Sequence, residues 1–236
     1  MRRNRGLATW GHVDHDVVVF EDDFLRFDID ATGMADTGAA WLTTGSGTSV
    51  LDTKHGGWLL LTGQTTTDHG IQLVQLNGEA FTFTSARRLL FTIKNVQVGS
   101  ITTANFHIAL CPTDTAPIGA DAAHGQANQA AWLFDGSVSK LYAVMCNTGA
   151  TDYDYKQDTG FAVVAATSIK DLAIEWNGSD AVTWFIDGAQ VARRHDPARA
   201  DIPAAATTMT VSLCVQNIGS TTNTLKIDKA AVVMER

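Results

Sequence analysis

Leu172-Ala173-Ile174-Glu175-Trp176-Asn177-Gly178, followed by Val182-Thr183-Trp184-Phe185-Ile186-Asp187-Gly188, is the stretch on which the fold reading turns. In its first half the large apolar residues recur at every second position, the period of a strand with one buried face. Its second half repeats the alternation, and Trp176 and Trp184 fall in the inward phase. Asn-Gly and Asp-Gly tolerate the positive φ values that tight hairpins demand. Residues 171–194 therefore read as three antiparallel strands joined by short turns. Met209-Thr210-Val211-Ser212-Leu213-Cys214-Val215-Gln216 carries the same period further along. Working outward, strands are expected at 17–20, 24–29, 57–62, 70–76, 80–84, 88–98, 105–111, 130–134, 140–146, 160–165 and 224–234. Thr and Val are abundant, Lys and Glu are scarce, and no segment predicts a helix longer than a turn. Many short strands separated by turn signals predict an all-β sandwich or barrel.

The 236 residues are 45% apolar and 18% charged, which suits a folded domain rather than a disordered chain. Seventeen basic residues face 25 acidic ones, a formal charge of −8. That balance argues against a duplex-binding protein, which needs a basic face to displace counterions, so no nucleic-acid partner is expected. No apolar run approaches the ~18 residues of a membrane helix, and no membrane partner is expected. The basic start Met1-Arg2-Arg3-Asn4-Arg5 is not followed by the apolar stretch of a signal peptide. Cys111, Cys146 and Cys214 are too few and too scattered for a disulfide scaffold or a zinc site, and they read as core residues of a reduced protein.

Three segments do not read as strands. Residues 1–16 form a polar arm, 30–56 an extended loop or paired edge segments around Trp41, and 113–129 a long loop with room for one helical turn. Long loops in a compact domain usually serve function or assembly. No linker divides the chain, so the expected organisation is an arm over 1–16 and one sandwich over 17–236.

The hairpin pair, together with Glu21-Asp22-Asp23-Phe24, Gly56-Gly57-Trp58-Leu59-Leu60-Leu61 and the last strand Leu225-Lys226-Ile227-Asp228-Lys229-Ala230-Ala231-Val232-Val233, resembles the concanavalin A-like lectin/glucanase superfamily, including laminin-G-like domains. The resemblance implies a single jelly-roll β-sandwich of two stacked antiparallel sheets. Within that superfamily the chain is similar in character to jelly-roll proteins of tailed-phage virions: a basic start, an acidic body, and much Gly, Thr and Ala. Retaining glucanases of the superfamily carry a strand motif of the form Glu-x-Asp-x-x-Glu, which sets two carboxylates about 5–5.5 Å apart. This chain lacks it. Phe27-Asp28-Ile29-Asp30 has neither glutamate, and Glu175 stands alone between Ile174 and Trp176.

Asp152-Tyr153-Asp154-Tyr155-Lys156-Gln157-Asp158 is the most unusual local run. Alternation places Asp152, Asp154 and Lys156 on one side and the tyrosines on the other. Acids at positions one, three and seven could hold calcium, and exposed tyrosines could stack on sugar rings. An EF-hand-like loop wants a ligand at five and Gly at six, where Lys156 and Gln157 stand, and a polar hairpin tip is the plainer reading. Gly11-His12-Val13-Asp14-His15-Asp16 gathers two imidazoles and two carboxylates with nothing to complete a metal shell. His55, His69, His107, His124 and His195 accompany no nucleophile motif, and no phosphate loop or dinucleotide fingerprint exists.

These features predict a non-enzymatic structural protein without cofactor or metal, made in a host cytoplasm and carried on a phage virion as a capsid decoration or cement protein. Its partners would be the major capsid protein and copies of itself, held through Arg2, Arg3, Arg5 and the anchor Trp10 of the arm. Deleting residues 1–16 should leave a folded protein that no longer binds particles. The alternative expectation is a carbohydrate-binding module of a phage fibre or receptor-binding component, with Asp152, Tyr153, Asp154, Tyr155 and Asp158 as its ligand-binding residues.

Overall fold

The computed structural model describes residues 17–24, 41–45, 47–52, 57–63, 70–114, 116–119, 122–123, 125–148, 152–167, 169–219 and 221–235. Sixteen strands and no α-helix lie among them. They are β1 (Val17–Asp22), β2 (Trp41–Gly45), β3 (Thr48–Asp52), β4 (Trp58–Thr62), β5 (Ile71–Leu76), β6 (Leu89–Val98), β7 (Ala104–Cys111) and β8 (Gln129–Asp135). There follow β9 (Lys140–Cys146), β10 (Tyr155–Asp158), β11 (Ile169–Trp176), β12 (Ala181–Ile186), β13 (Ala189–His195), β14 (Thr210–Asn217), β15 (Thr224–Ile227) and β16 (Lys229–Glu235).

One sheet has seven strands in the order β10-β9-β8-β7-β14-β5-β2. The other has nine. From β13 it runs through β12 and β11 to β6, whose far edge is shared by β16 and then β15. Beyond β16 lies β1, and beyond β15 lie β4 and β3. The expected closing strand at 224–234 is thus broken in two at Asp228. Its carboxylate accepts a hydrogen bond from Asn95 Nδ2 at 2.6 Å, and Asn95 itself takes φ 52° in mid-strand. The pair fixes the bend at which β6 changes partner.

Both sheets turn one face into a common core, as the alternating pattern requires. Trp41, Trp132, Trp176 and Trp184 are fully buried in it. A buried indole N–H needs an acceptor. Trp41 Nε1 donates to Asp22 Oδ2 (2.7 Å), Trp176 Nε1 to the Thr84 carbonyl (3.0 Å) and Trp184 Nε1 to the Ala131 carbonyl (3.0 Å). Trp132 Nε1 has no partner among the described residues. The β12–β13 turn carries φ 49° at Asp187 and 80° at Gly188, as an Asp-Gly hairpin turn should. At Gly136 a Cβ would stand 2.3 Å from the Ala104 carbonyl oxygen, so only glycine lets the β8–β9 turn close against β7.

Two strand expectations fail. Residues 80–84 make only an isolated bridge, Phe81 to Met209. Arg199 holds this stretch down instead: its guanidinium bonds the Phe83 carbonyl and Ser85 Oγ and lies 4.9 Å from the Trp176 ring. Residues 160–165 run as irregular chain, and the strand lies earlier, at β10. Around Trp41 the chain forms β2 and β3, both paired edge segments. The expected strand at 24–29 lies outside the described residues save for Phe24. The arm 1–16 lies wholly outside them.

Candidate functional site

The seven-stranded sheet is unusual on the face turned away from the core. Side chains in the middle of that face are closely covered and mostly apolar, with the fully buried His107 set between Cys214 and Leu133 and Ser212 beside Ala109. Leu73, Cys214, Ala109, Leu133 and Val144 form a second buried cluster with Ile118, Ala122 and Tyr153 laid over them. The covering segment is tied to the sheet, because Gln216 Nε2 donates to the Gly119 carbonyl (2.9 Å) and Asp114 N–H to Gln75 Oε1 (3.2 Å). All three cysteines are free and buried on this face. Burial pushes the Cys111 thiol up to about 12 and raises the Cys214 thiol as well.

The face opens toward β9 and β10. Core-facing residues of β9 are Leu141, Ala143 and Met145, so Tyr142 points outward, half-buried. Register sets Asp158 beside Tyr142 and Lys156 beside Val144. The Lys156 ammonium stands 4.6 Å from the centre of the Tyr142 ring and 5.8 Å from that of Tyr153. Lys140, two residues before Tyr142 and on the same face of β9, pairs with Asp158 at 2.6 Å. An aromatic ring thus sits next to the β10 edge of the sheet, packed against the second cluster and beneath the Lys156 ammonium, with Lys140 and Asp158 beside it. Burial raises the Tyr142 phenol, which stays protonated and able to donate.

The sequence-predicted residues are divided by the fold. The strand begins only at Tyr155, so alternation does not extend back to Tyr153, and the two tyrosines part company. Tyr155 turns inward and stacks on Trp184, with ring centres 5.4 Å apart and planes 29° apart. Tyr153 folds over the outer face of the sheet, 8% exposed, with its hydroxyl 3.4 Å from the Ala123 carbonyl. Burial raises both phenols. Neither ring is an open platform for a sugar. Asp154 Oδ2 accepts the N–H groups of Asn147 (2.6 Å) and Thr148 (3.4 Å), fastening the β9–β10 loop, and Asp152 Oδ1 accepts the Tyr153 N–H (2.8 Å). Asp158 lies at the other end of β10, on Lys140. The three acids do not converge, and no group of three His, Cys, Asp or Glu side chains suited to a metal lies among the described residues. Arg2, Arg3, Arg5 and Trp10, like His12 and His15, lie outside the described residues.

Elsewhere four described acids form ion pairs. Glu175 binds Arg88 at 2.7 Å, Glu21 binds Lys229 at 2.6 Å and Asp201 binds Arg194 at 2.5 Å, while Asp171 binds Lys94. Where a described carboxylate shifts, it shifts down. The Lys140 hydrogen bond lowers Asp158, the Asn177 amide lowers Asp180, and the Asp201 N–H lowers Asp196. At Glu79 burial acts upward, but hydrogen bonds from Thr113 and Thr208 outweigh it. A general acid for glycoside hydrolysis needs the opposite, a carboxyl held above its ordinary value.

Tyr142 was legible from alternation, being the out-of-phase aromatic of a strand whose inward positions are Leu141, Ala143 and Met145. What the sequence could not reveal is that the neighbouring outward positions would be roofed over while this one stayed open.

No protein-family model matches the chain, and no curated protein sequence matches it. Solved structures match it almost end to end. Arcelin-5, a lectin-like defense protein from Phaseolus vulgaris, superposes with a TM-score of 0.61 at 12% identity, over 94% of this chain and 99% of that one. Lectin I from Ulex europaeus, in complex with the methyl glycoside of α-L-fucose, gives 0.57 at 11% identity, over 94% and 99%. An endo-1,3-β-glucanase from Streptomyces sioyaensis gives 0.57 at 13% identity, over 94% and 98%. The fold is therefore the concanavalin A-like jelly roll that the hairpin motifs resemble.

Proposed function

We propose that this chain is a non-enzymatic, lectin-like carbohydrate-binding module that takes a glycan on the open margin of its seven-stranded sheet. The observation that carries the reading is Tyr142, an outward, half-buried ring flanked by Lys156, Lys140 and Asp158. A sugar presents C–H groups on one face and hydroxyls around its rim. A fixed aromatic ring meets the first, and charged donors and an acceptor beside it meet the second. The fold is shared with a lectin whose structure holds a fucoside, which favours a saccharide over other small molecules. A glucanase shares the fold as well, but the strand motif Glu-x-Asp-x-x-Glu of retaining glucanases does not occur in this sequence.

This margin replaces Tyr153 and Tyr155 as the stacking surface and keeps Asp158 from the predicted set. Nothing in the described residues, and none of the neighbours named above, points to a virion or a capsid partner.

A glycan array followed by calorimetry with the best ligand tests the reading. Wild-type protein should bind without added calcium, and Tyr142→Ala should abolish binding while leaving the melting temperature within a few degrees. Binding that survives Tyr142→Ala would overturn the assignment. Release of reducing sugar from any bound polysaccharide would overturn the non-enzymatic part.

A further inference from the structure

Lys156 differs in its partners from the lysines around the sandwich. Lys94, Lys140 and Lys229 hold the carboxylates of Asp171, Asp158 and Glu21. Lys156, exposed on the edge strand β10, holds no carboxylate among the described residues. Its ammonium is set against two rings instead, 4.6 Å from the centre of Tyr142 and 5.8 Å from that of Tyr153.

The acids nearest to it in the chain and across the sheet are already engaged. Asp158, two residues on, takes the Lys140 ammonium and the Gly160 N–H (2.9 Å). Asp154, two residues back, accepts the N–H groups of Asn147 and Thr148. Asp135, opposite Lys140 in the register of β8 and β9, accepts both the N–H and the hydroxyl of Ser137. A chain of formal charge −8 thus keeps one ammonium of this patch without a carboxylate.

That position limits what Tyr142 can receive. A neutral sugar stacking on the ring must push the ammonium aside, and the cation–π contact is lost with nothing to replace it. A sugar bearing an anionic group draws the ammonium to itself as the ring comes free. The cation–π contact is then exchanged for a charge-assisted hydrogen bond. Lysine suits the exchange, being a compact ammonium with three donors on a flexible stem. The acids elsewhere on the body oppose an anion only weakly, because physiological salt screens exposed charges beyond about 8 Å.

We infer that the Tyr142 margin selects acidic saccharides, with Lys156 receiving the anionic group of the ligand. This rests on the glycan-binding reading above and names the ligand class within it. A uronate carboxylate and a sulfate ester share the chemistry that an ammonium recognises.

A glycan array carrying polygalacturonate, alginate and chondroitin sulfate tests this. Each is printed beside its methyl-esterified or desulfated form, with neutral galactan, glucan and mannan alongside. Wild type should bind an acidic form more tightly than its neutralised counterpart by about tenfold or more, the scale of one hydrogen bond to a charged group. Hits among the uronates or among the sulfates identify which anion is read. Calorimetry with the best pair then compares variants. Lys156→Met keeps an apolar stem over the two rings, and its melting temperature should stay within a few degrees of wild type. It should bind the acidic and neutralised forms equally, whereas Lys156→Arg should keep the preference. A preference that survives Lys156→Met would overturn the inference. So would neutralised forms bound by wild type as tightly as acidic ones, a result that leaves the glycan reading standing. If no saccharide binds, charged or neutral, the glycan reading itself falls and this inference with it.

Discussion

Tyr153→Ala separates a ligand-facing tyrosine from a structural one. Tyr153 is 8% exposed and covers Leu133, Val144, Cys146 and Cys214 from outside the sheet. Truncating a buried large aromatic leaves a cavity and costs about 3–5 kcal/mol in other proteins. The cover here lies in a loop that can partly collapse, so the expected cost is about 3 kcal/mol. The hydroxyl contributes little, because its hydrogen bond to Ala123 is long at 3.4 Å. Tyr153→Phe should therefore cost under ~1 kcal/mol. For a chain of this length 3 kcal/mol corresponds to a melting-temperature drop of about 6–12 °C. Urea denaturation followed by tryptophan fluorescence gives both energies, provided the slope of the transition is unchanged. A cost below ~1 kcal/mol for Tyr153→Ala would refute the argument that this ring seals the outer face. So would glycan binding abolished by Tyr153→Phe with stability intact.

Further outcomes follow from the same contacts. Trp184→Phe should destabilise more than Trp132→Phe by about 1–2 kcal/mol. It loses the indole's hydrogen bond to the Ala131 carbonyl, whereas Trp132 gives up no described hydrogen bond; paired urea titrations read the difference. Asp158, Asp180 and Asp196 have folded pKa values below their unfolded ones. Their stabilisation is therefore complete above the ordinary carboxylate range and lost as pH falls through the folded values. The melting temperature should be level from about pH 7 to 5 and fall below about pH 4, less steeply in Asp196→Asn. A melting temperature that rises on acidification would contradict this. Cys111, Cys146 and Cys214 should resist iodoacetamide at neutral pH in the native protein and all react in denaturant, as counted by mass spectrometry.

Most of the jelly roll is legible in the sequence because a strand with one dry face must alternate. The segments at 171–194 and 209–216 do so, save for a register shift at Trp184/Phe185, and the turns of the first carry Asn-Gly and Asp-Gly, with positive φ at Gly178, Asp187 and Gly188. The misreadings share a cause. Residues 80–84 and 160–165 have strand composition, yet no neighbour presents a free edge to either at more than a single bridge. Around Tyr153 the alternating pattern runs on past the point where pairing with β9 stops, and only pairing gives alternation a direction.

The sequence by itself determined which residues alternate, where the chain can turn sharply, and that the product is two β layers around a tryptophan-rich interior. These follow from the period of the backbone and the cost of wetting large apolar groups, both local to each strand. Which outward face is roofed and which is open was decided only by tertiary structure. Whether a given polar or aromatic side chain meets solvent depends on segments far away in the chain. Ala123 lies 30 residues from the tyrosine it receives, and Gly119 lies 97 from the glutamine that holds it. Tyr142 and Tyr153 have the same chemistry, and the difference between a half-buried ring and a plug over a sheet lies in what those distant segments cover.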